Sequence, residues 1–459
     1  MKTKLLTWAI ALSITLTTAG CDALASSRTS EPSLTPTPEP TPTLEARATS
    51  EAGLQPDGEC PPLTSDVLNL MQTLEDQMAQ IRGLNPTAPV ERELLTPDQL
   101  GDIVRDEFLA EYSAEEAADD SLLLWLYGLV PPDFDLWELY ADLWTEQVAG
   151  FYDDEVEQMY VICGSGFNAP EQLTYTHEFV HVLQDQTYDL DEGLGYNDEL
   201  CELDSERCAA ISALVEGDAT LAEEQWMRTY TSPEFLTGLL EFYNEFESPV
   251  YDSAPAFMQE DLLFPYTSGR NFVNALYTNG GWVAVDAAYQ NPPVTTEQIM
   301  HPERYPNDQP VFLEVPDLSG VLGDNWRFVY DGVWGEWFTL LMLTEFLPNE
   351  QSVTASSGWG GDYFLLYSDD AGQALTILVT QWDSIRDTQE FAAASSDYGR
   401  ARFGEPSRTE FGGELYQGDG LYAYVERISN QTRWIIATTP GLIELALEGM
   451  AFPAPALAE

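Results

Sequence analysis

Apolar positions recur at helical spacing early in the chain. Val67, Leu70, Met71, Leu74, Met78 and Ile81 fall on one face at intervals of three and four, which predicts a helix. Thr96-Pro97-Asp98-Gln99 and Ser113-Ala114-Glu115-Glu116 have the form of capping boxes that open further helices. Residues 63–148 are therefore expected to be mostly helical. The pattern changes at 150–163, GFYDDEVEQMYVIC, where aromatic and β-branched ends flank an acidic middle, as in a β-hairpin. Helical texture returns at about 168–230, around 235–246 and over 267–288. From about 350, YFLLY, ALTILVTQW, LYAYVERI and RWIIATT read as strands, with helical segments at 388–402 and 442–450. The expected class is α+β. A mainly helical domain with a small β-sheet or hairpin is followed by a small C-terminal α+β unit, and no internal repeat is present.

The ends of this plan are set by composition. A basic start at 1–4, an apolar run at 5–16 and TTAGC at 17–21 have the layout of a secretory signal, too short for a membrane span. Small residues before a cysteine resemble a bacterial lipoprotein cleavage box, with Cys21 as the lipidated residue; an ordinary secreted protein cut near Ala19 is the alternative. Residues 21–60 are rich in Pro, Thr, Ser and Glu with almost no apolar side chain, so they form an extended linker. The expected domains are thus a signal at 1–20, a linker at 21–60, a helical domain at 61–348 with its core at 150–230, and a C-terminal unit at 349–459. The expected location is the outer face of the cytoplasmic membrane, with the lipid anchor as the only membrane contact.

The formal charge is -60, from 78 acidic residues against 18 Lys and Arg, and the only lysines are Lys2 and Lys4. Such a balance argues against nucleic acid or anionic membrane as partners and reads as a solvated acidic shell. After Cys21, the four cysteines suggest two disulfides in an exported chain. Cys201 and Cys208 enclose a short loop and are paired here, which leaves Cys60 with Cys163.

The chain has three histidines, and two of them stand in THEFVHVLQDQ at 176–186. Asn168 as cap, Pro170 in the first turn and Glu171 at the third position predict the helix that carries them. Leu173, Val180 and Leu183 would pack inward, with His177 and His181 beside that face, one turn apart, so that both imidazoles converge on one ion. Glu178 is offset by roughly 100° and is close enough to act on a water at that ion without ligating it. A zinc hydrolase needs a third protein ligand and an open position. Gln184 and Thr187 exclude a third histidine on the metzincin spacing, so a carboxylate is expected. Glu216, in the otherwise apolar ISALVEGDATLA, stands on a stripe with Ala209, Ala213 and Thr220. Those small residues, with Gly217, would let two helices approach closely.

HEFVH with Glu216 in ALVEGDA resembles the gluzincin branch of the zincin metallopeptidases. The run 150–226 is also similar to secreted or surface-anchored prokaryotic proteins of unknown substrate, and more loosely so are TTEQIMHPERY and GWGGDYFLLY. The resemblance implies that His177, His181 and Glu216 bind Zn2+ and that Glu178 is the catalytic acid/base. Thermolysin-like members carry an aspartate where Thr220 stands here, so Asp185, one turn beyond His181, is the expected hydrogen-bond support.

His301 is the first candidate to stabilise an oxyanion, ahead of Tyr305 and Tyr266; a structural hydrogen bond to a loop is an equal reading. Residues 159–162 are a candidate edge strand for peptide binding, or an ordinary half-buried strand. Trp359 and Asp362 fit a turn and packing feature as well as a site. The expected function is a zinc-dependent metallopeptidase that hydrolyses peptide or protein substrates outside the cytoplasm, with Glu178 activating the attacking water. The alternatives are a zincin-scaffold surface binding lipoprotein without activity, or a zinc amide hydrolase acting on cell-wall material.

Overall fold

The computed structural model describes residues 60, 63–96, 98–103, 112–147, 150–153, 156–162, 167–408 and 412–450. The signal, the linker up to residue 59, Cys21 and Cys163 lie outside them. The class is α+β, as expected. The elements around the histidines are α1 (Ser65–Arg82), β1 (Glu91–Leu95), α2 (Ala114–Leu126), α3 (Leu136–Gln147), β2 (Gly150–Asp153), β3 (Gln158–Ile162), α4 (Ala169–Tyr188), α5 (Asp198–Leu203) and α6 (Ser205–Tyr230). No helix among the described residues is long and apolar enough to cross a membrane.

Local signals set most of these boundaries. Thr96 and Gln99 exchange capping hydrogen bonds, and so do Ser113 and Glu116. The backbone N–H of Asn168 donates to Glu171 at 2.9 Å at the start of α4. From Leu173 to Gln184 every residue of α4 is buried, which marks a core helix. It packs against α1, α6, β2, β3 and the helix Pro233–Glu245. The Cys201–Cys208 disulfide ties α5 to α6 as expected. Cys60 is also disulfide-bonded, but its expected partner Cys163 lies outside the described residues.

Two strand placements differ from expectation. The hairpin β2–β3 forms, but β1 also pairs with β3, in parallel, giving the order β1-β3-β2. Residues 159–162 are therefore central rather than an edge, and among the described residues the outer strands of this sheet are β1 and β2. The ERELL segment of β1 lies in the region read as helical. Its pairing is non-local, and its Arg92 bonds Glu75 and Tyr175.

The second sheet has seven strands: β4 (Trp326–Gly332), β5 (Trp359–Asp369), β6 (Ala374–Trp382), β7 (Ser407–Arg408), β8 (Glu414–Gly418), β9 (Leu421–Ile428) and β10 (Gln431–Ala437), in the order β4-β5-β6-β10-β9-β8-β7. It begins at Trp326, ahead of the boundary expected at 349. α2 and α3 share its core rather than that of α4. Tyr127 lies edge-on to Trp334 at 4.7 Å, and Arg402 donates to the carbonyls of Trp125 and Leu126 at the end of α2. Asp362 is buried and accepts from the N–H groups of Trp334 and Gly335 and from the Trp359 indole. That favours the turn-and-packing reading of this pair.

α6 approaches a π-helical turn at Pro265–Gly269 backbone to backbone. A Cβ on Gly217 would stand 2.2 Å from the carbonyl carbon of Gly269, and one on Gly269 would stand 2.1 Å from the Ala213 oxygen. The small-residue stripe thus has the packing role expected of it. Gly217→Ala is expected to destabilise the fold by about 2 kcal/mol or more, because both obstacles are backbone. Gly441→Ala, in a helix where a Cβ meets nothing within 4 Å, should be neutral or stabilising by up to about 1 kcal/mol. Denaturant unfolding of the two variants against the parent checks the contrast.

Candidate metal centre

α4 presents His177 and His181 one turn apart, with ring centroids 5.0 Å apart. α6 brings Glu216 to both: its Oε2 is 3.1 Å from His177 Nε2 and 3.5 Å from His181 Nε2. One ligand atom from each residue lies within 4.8 Å of the others, and the three buried residues together could hold a metal ion. Two atoms are left wanting a partner. His181 Nε2 and Glu178 Oε1 are buried without a hydrogen bond, and each such group costs about 1–3 kcal/mol if nothing satisfies it. A cation among the three donors would take up the imidazole lone pair, so the residues fit a metal.

The imidazoles are held from behind. Gln184 Nε2 donates to the Val215 carbonyl at 3.0 Å and to Asp218 at 3.1 Å. That fixes the amide with Oε1 toward His181 Nδ1, 2.8 Å away. Nδ1 is then the donor and Nε2 keeps its lone pair. Glu223 Oε2 does the same for His177 Nδ1 at 3.2 Å. Asp185, the expected support, instead accepts from the Tyr152 hydroxyl at 2.9 Å and the Leu190 N–H at 3.3 Å. From one turn beyond His181 it is directed toward β2. Thr220 Oγ1 is buried and takes no partner, and the carboxylate behind His177 is that of Glu223. Glu223 lies seven residues after Glu216, two turns along one face, a spacing that could have identified it.

Glu178 sits beside the cluster and outside it. Its Oε2 accepts from the backbone N–H of Tyr152 on the edge strand β2 at 3.0 Å, and its Oε1 is the unpartnered one. Burial pushes its carboxyl up to about 7 against the pull of His181 and His177. Burial would also raise Glu216, but the two imidazoles outweigh it and hold that carboxyl at about 2. Burial pulls both imidazoles down, yet Glu216, joined by Glu223 at His177, holds each above its ordinary value. A metal entering this site therefore displaces protons.

The oxyanion candidates separate. Tyr266, in the π-helical turn, has its ring 6.1 Å from that of His177. His301 Nε2 instead meets Glu336 Oε1 at 2.9 Å, and the Tyr305 hydroxyl donates to the Asn291 carbonyl at 2.7 Å. The structure thus brings the third candidate in the expected order, not the first, beside a histidine of the cluster. A second acidic group, Glu297, Asp308 and Asp383, also has metal-like spacing, but Arg304 Nη1 bonds all three. Nearby, Glu206 accepts from the N–H and hydroxyl of Thr296 at 2.6 and 2.8 Å.

Residues 327–445 match a family model described as a domain of unknown function, DUF8575. The match covers the seven-stranded sheet and leaves the metal cluster outside. No curated protein matches the chain, and no solved structure does.

Removing either support should loosen the site. Glu223→Ala and Gln184→Ala are each expected to weaken metal binding about 10–100-fold, measured by titration against a competing chelator. Burial also raises the Glu206 carboxyl to about 8 from an ordinary 4.5. Between those values the folded state keeps a proton that the unfolded state has lost, so this group's contribution to stability falls as pH rises through the window. Glu206→Gln should flatten the decline in Tm between about pH 4.5 and 8.

Proposed function

We propose that the chain is a zinc-dependent metallopeptidase that hydrolyses peptide bonds outside the cytoplasm, anchored to the membrane by lipid at Cys21. The observation that carries this reading is the shared cluster of His177, His181 and Glu216 with Glu178 beside it, one oxygen of Glu178 fixed on Tyr152 and the other free. Two imidazoles and a carboxylate are the donor set of catalytic zinc sites that keep one position open. Zinc, when bound, supplies a Lewis acid that polarises the scissile carbonyl.

The residues divide the remaining work. Glu223 and Gln184 hold the imidazoles in the tautomer that offers Nε2. Glu178 takes a proton from the attacking water on Oε1 and returns it to the leaving nitrogen, while the Tyr152 N–H keeps the carboxylate from swinging away. A carboxyl pushed up to about 7 is suited to both halves of that transfer near neutral pH. Tyr266, beside His177, is the favoured donor to the oxyanion. The Cys201–Cys208 disulfide accords with an oxidising location.

One observation favours a second reading. Glu178 is 0 % exposed and His177 is 5 % exposed, as expected of a structural metal site in a surface binding protein. The two readings part on one substitution. Glu178→Gln should retain the metal at full occupancy and lower cleavage of an unbiased peptide library by about 10²-fold or more. Metal analysis with library cleavage reads both quantities. A wild-type protein that holds zinc and cleaves nothing in the library supports the structural reading.

A further inference from the structure

A cavity of about 130 Å3 follows the helix that carries Glu216. Ser205, Glu206, Ala209 and Ser212 of α6 line it, and Ser212 stands one turn before Glu216, roughly 6 Å along the axis. Pro265 lines it too, immediately before Tyr266, whose ring faces His177. The cavity therefore lies beside the cluster along the same helix, ending one turn short of Glu216, which does not line it.

Its walls are aromatic and acidic. Tyr140, Tyr196, Phe264, Trp334, Trp337 and Phe338 supply rings, while Asp120, Glu206 and Asp261 supply carboxyl groups. No Lys, Arg or His is in the lining to balance them. Asp120 accepts from the hydroxyls of Tyr112 and Tyr330 at 2.8 and 2.7 Å. Asp261 uses Oδ1 on the Trp337 indole N–H at 2.8 Å, which leaves Oδ2 for a ligand. Trp334, 6 % exposed, has a buried indole N–H with no partner at all. Burial raises the Asp120 and Asp261 carboxyls to about 6, so both are charged at pH 7.5. Asp120 is buried and Asp261 half-buried; carboxylates in such places without a counter-ion are costly, and ring faces attract cations. A cavity of about 150 Å3 accepts benzene, so this one has room for a four-carbon chain ending in an ammonium.

We propose that this cavity is the specificity pocket of the metal site and takes a cationic alkyl side chain, lysine or arginine, of a peptide substrate. The assignment rests on the peptidase reading for its role, though not for its ligand. The net charge of -60 would also draw cationic peptides toward the molecule.

The first test needs no cleavage. n-Butylammonium and neutral n-butanol are titrated into the full chain at pH 7.5, with binding read by calorimetry and ligand-observed NMR. The ammonium is expected to bind at least tenfold tighter, and Asp261→Asn, which keeps an acceptor for Trp337, should bring the ratio within threefold. Equal binding of the two by the wild type overturns the proposal even where the variant does not fold. A folded variant with an unchanged ratio also overturns it. In the second test, library cleavage by the metal-loaded protein should enrich Lys or Arg next to the scissile bond at least tenfold, and Asp261→Asn should remove that enrichment. Cleavage without enrichment overturns the role as specificity pocket. Tight ammonium binding with no cleavage supports the cation pocket and counts against the peptidase reading instead.

Discussion

The metal cluster depends on a buried ion pair that touches none of its ligands. Arg82, at the end of α1, is fully buried and donates through Nε to both oxygens of Asp218 on α6, at 2.7 and 3.0 Å. The same carboxylate accepts from Gln184 on α4 and from the Tyr289 hydroxyl at 2.8 Å. Arg82 also lies 2.7 Å from Asp286 and stacks over Trp282 at 4.6 Å. One carboxylate therefore fixes α1, α4 and α6 in register and, through Gln184, sets which nitrogen of His181 is free. Such a pair contributes little net stability by itself, because two charges leave water. Loss of Arg82 would strand the Asp218 carboxylate beneath the site, whereas loss of Asp218 would leave Arg82 with Asp286 alone.

The close contact at Gly217 acts on the other side of α6. It lets the π-helical turn sit against the helix, which puts Tyr266 beside His177 and Phe264 and Pro265 along the cavity wall. Ordinary α-helical geometry through 265–269 would carry those side chains elsewhere, and π-turns often occur at functional sites for that reason. The seven-stranded sheet then closes the cavity from beyond, with Trp334 and Trp337 following its edge strand β4. Asp362 anchors that corner by accepting the N–H groups of Trp334 and Gly335. The proposed pocket is thus made by both halves of the chain, whereas the candidate metal ligands come from one.

What the sequence made legible was local. The cap at Asn168, the one-turn spacing of the histidines and the apolar context of Glu216 each follow from residues within a few positions of one another. Gly217 was readable because a mid-helix glycine has a cost that packing must offset. The misses are non-local. ERELL becomes a strand only because β3 is there to pair with it. α2 joins the distant sheet because Arg402, Trp334 and Trp434 meet its C-terminal end there, and α3 packs into the same core. Asp185 was selected by helical spacing, but spacing does not say whether a neighbouring element offers a better partner, and Tyr152 does. His301 was singled out because a histidine can donate to an oxyanion, and residue type carries no information about Glu336, which it meets instead.

The contrast between Glu216 and Glu178 carries the chemical proposal further than the ligand count does. Both are buried carboxyl groups near the same two imidazoles, so burial alone would raise both. Glu216 is 3.1 and 3.5 Å from imidazole nitrogens and is held anionic. Glu178 has only a backbone N–H on one oxygen and stays near 7. Environments that push two like groups apart assign them different work. The group held at about 2 is suited to hold a cation, and the group near 7 is suited to pass a proton. A purely structural metal site has use for the first and none for the second, so Glu178's unpartnered oxygen is the feature that a binding-protein reading leaves without a purpose.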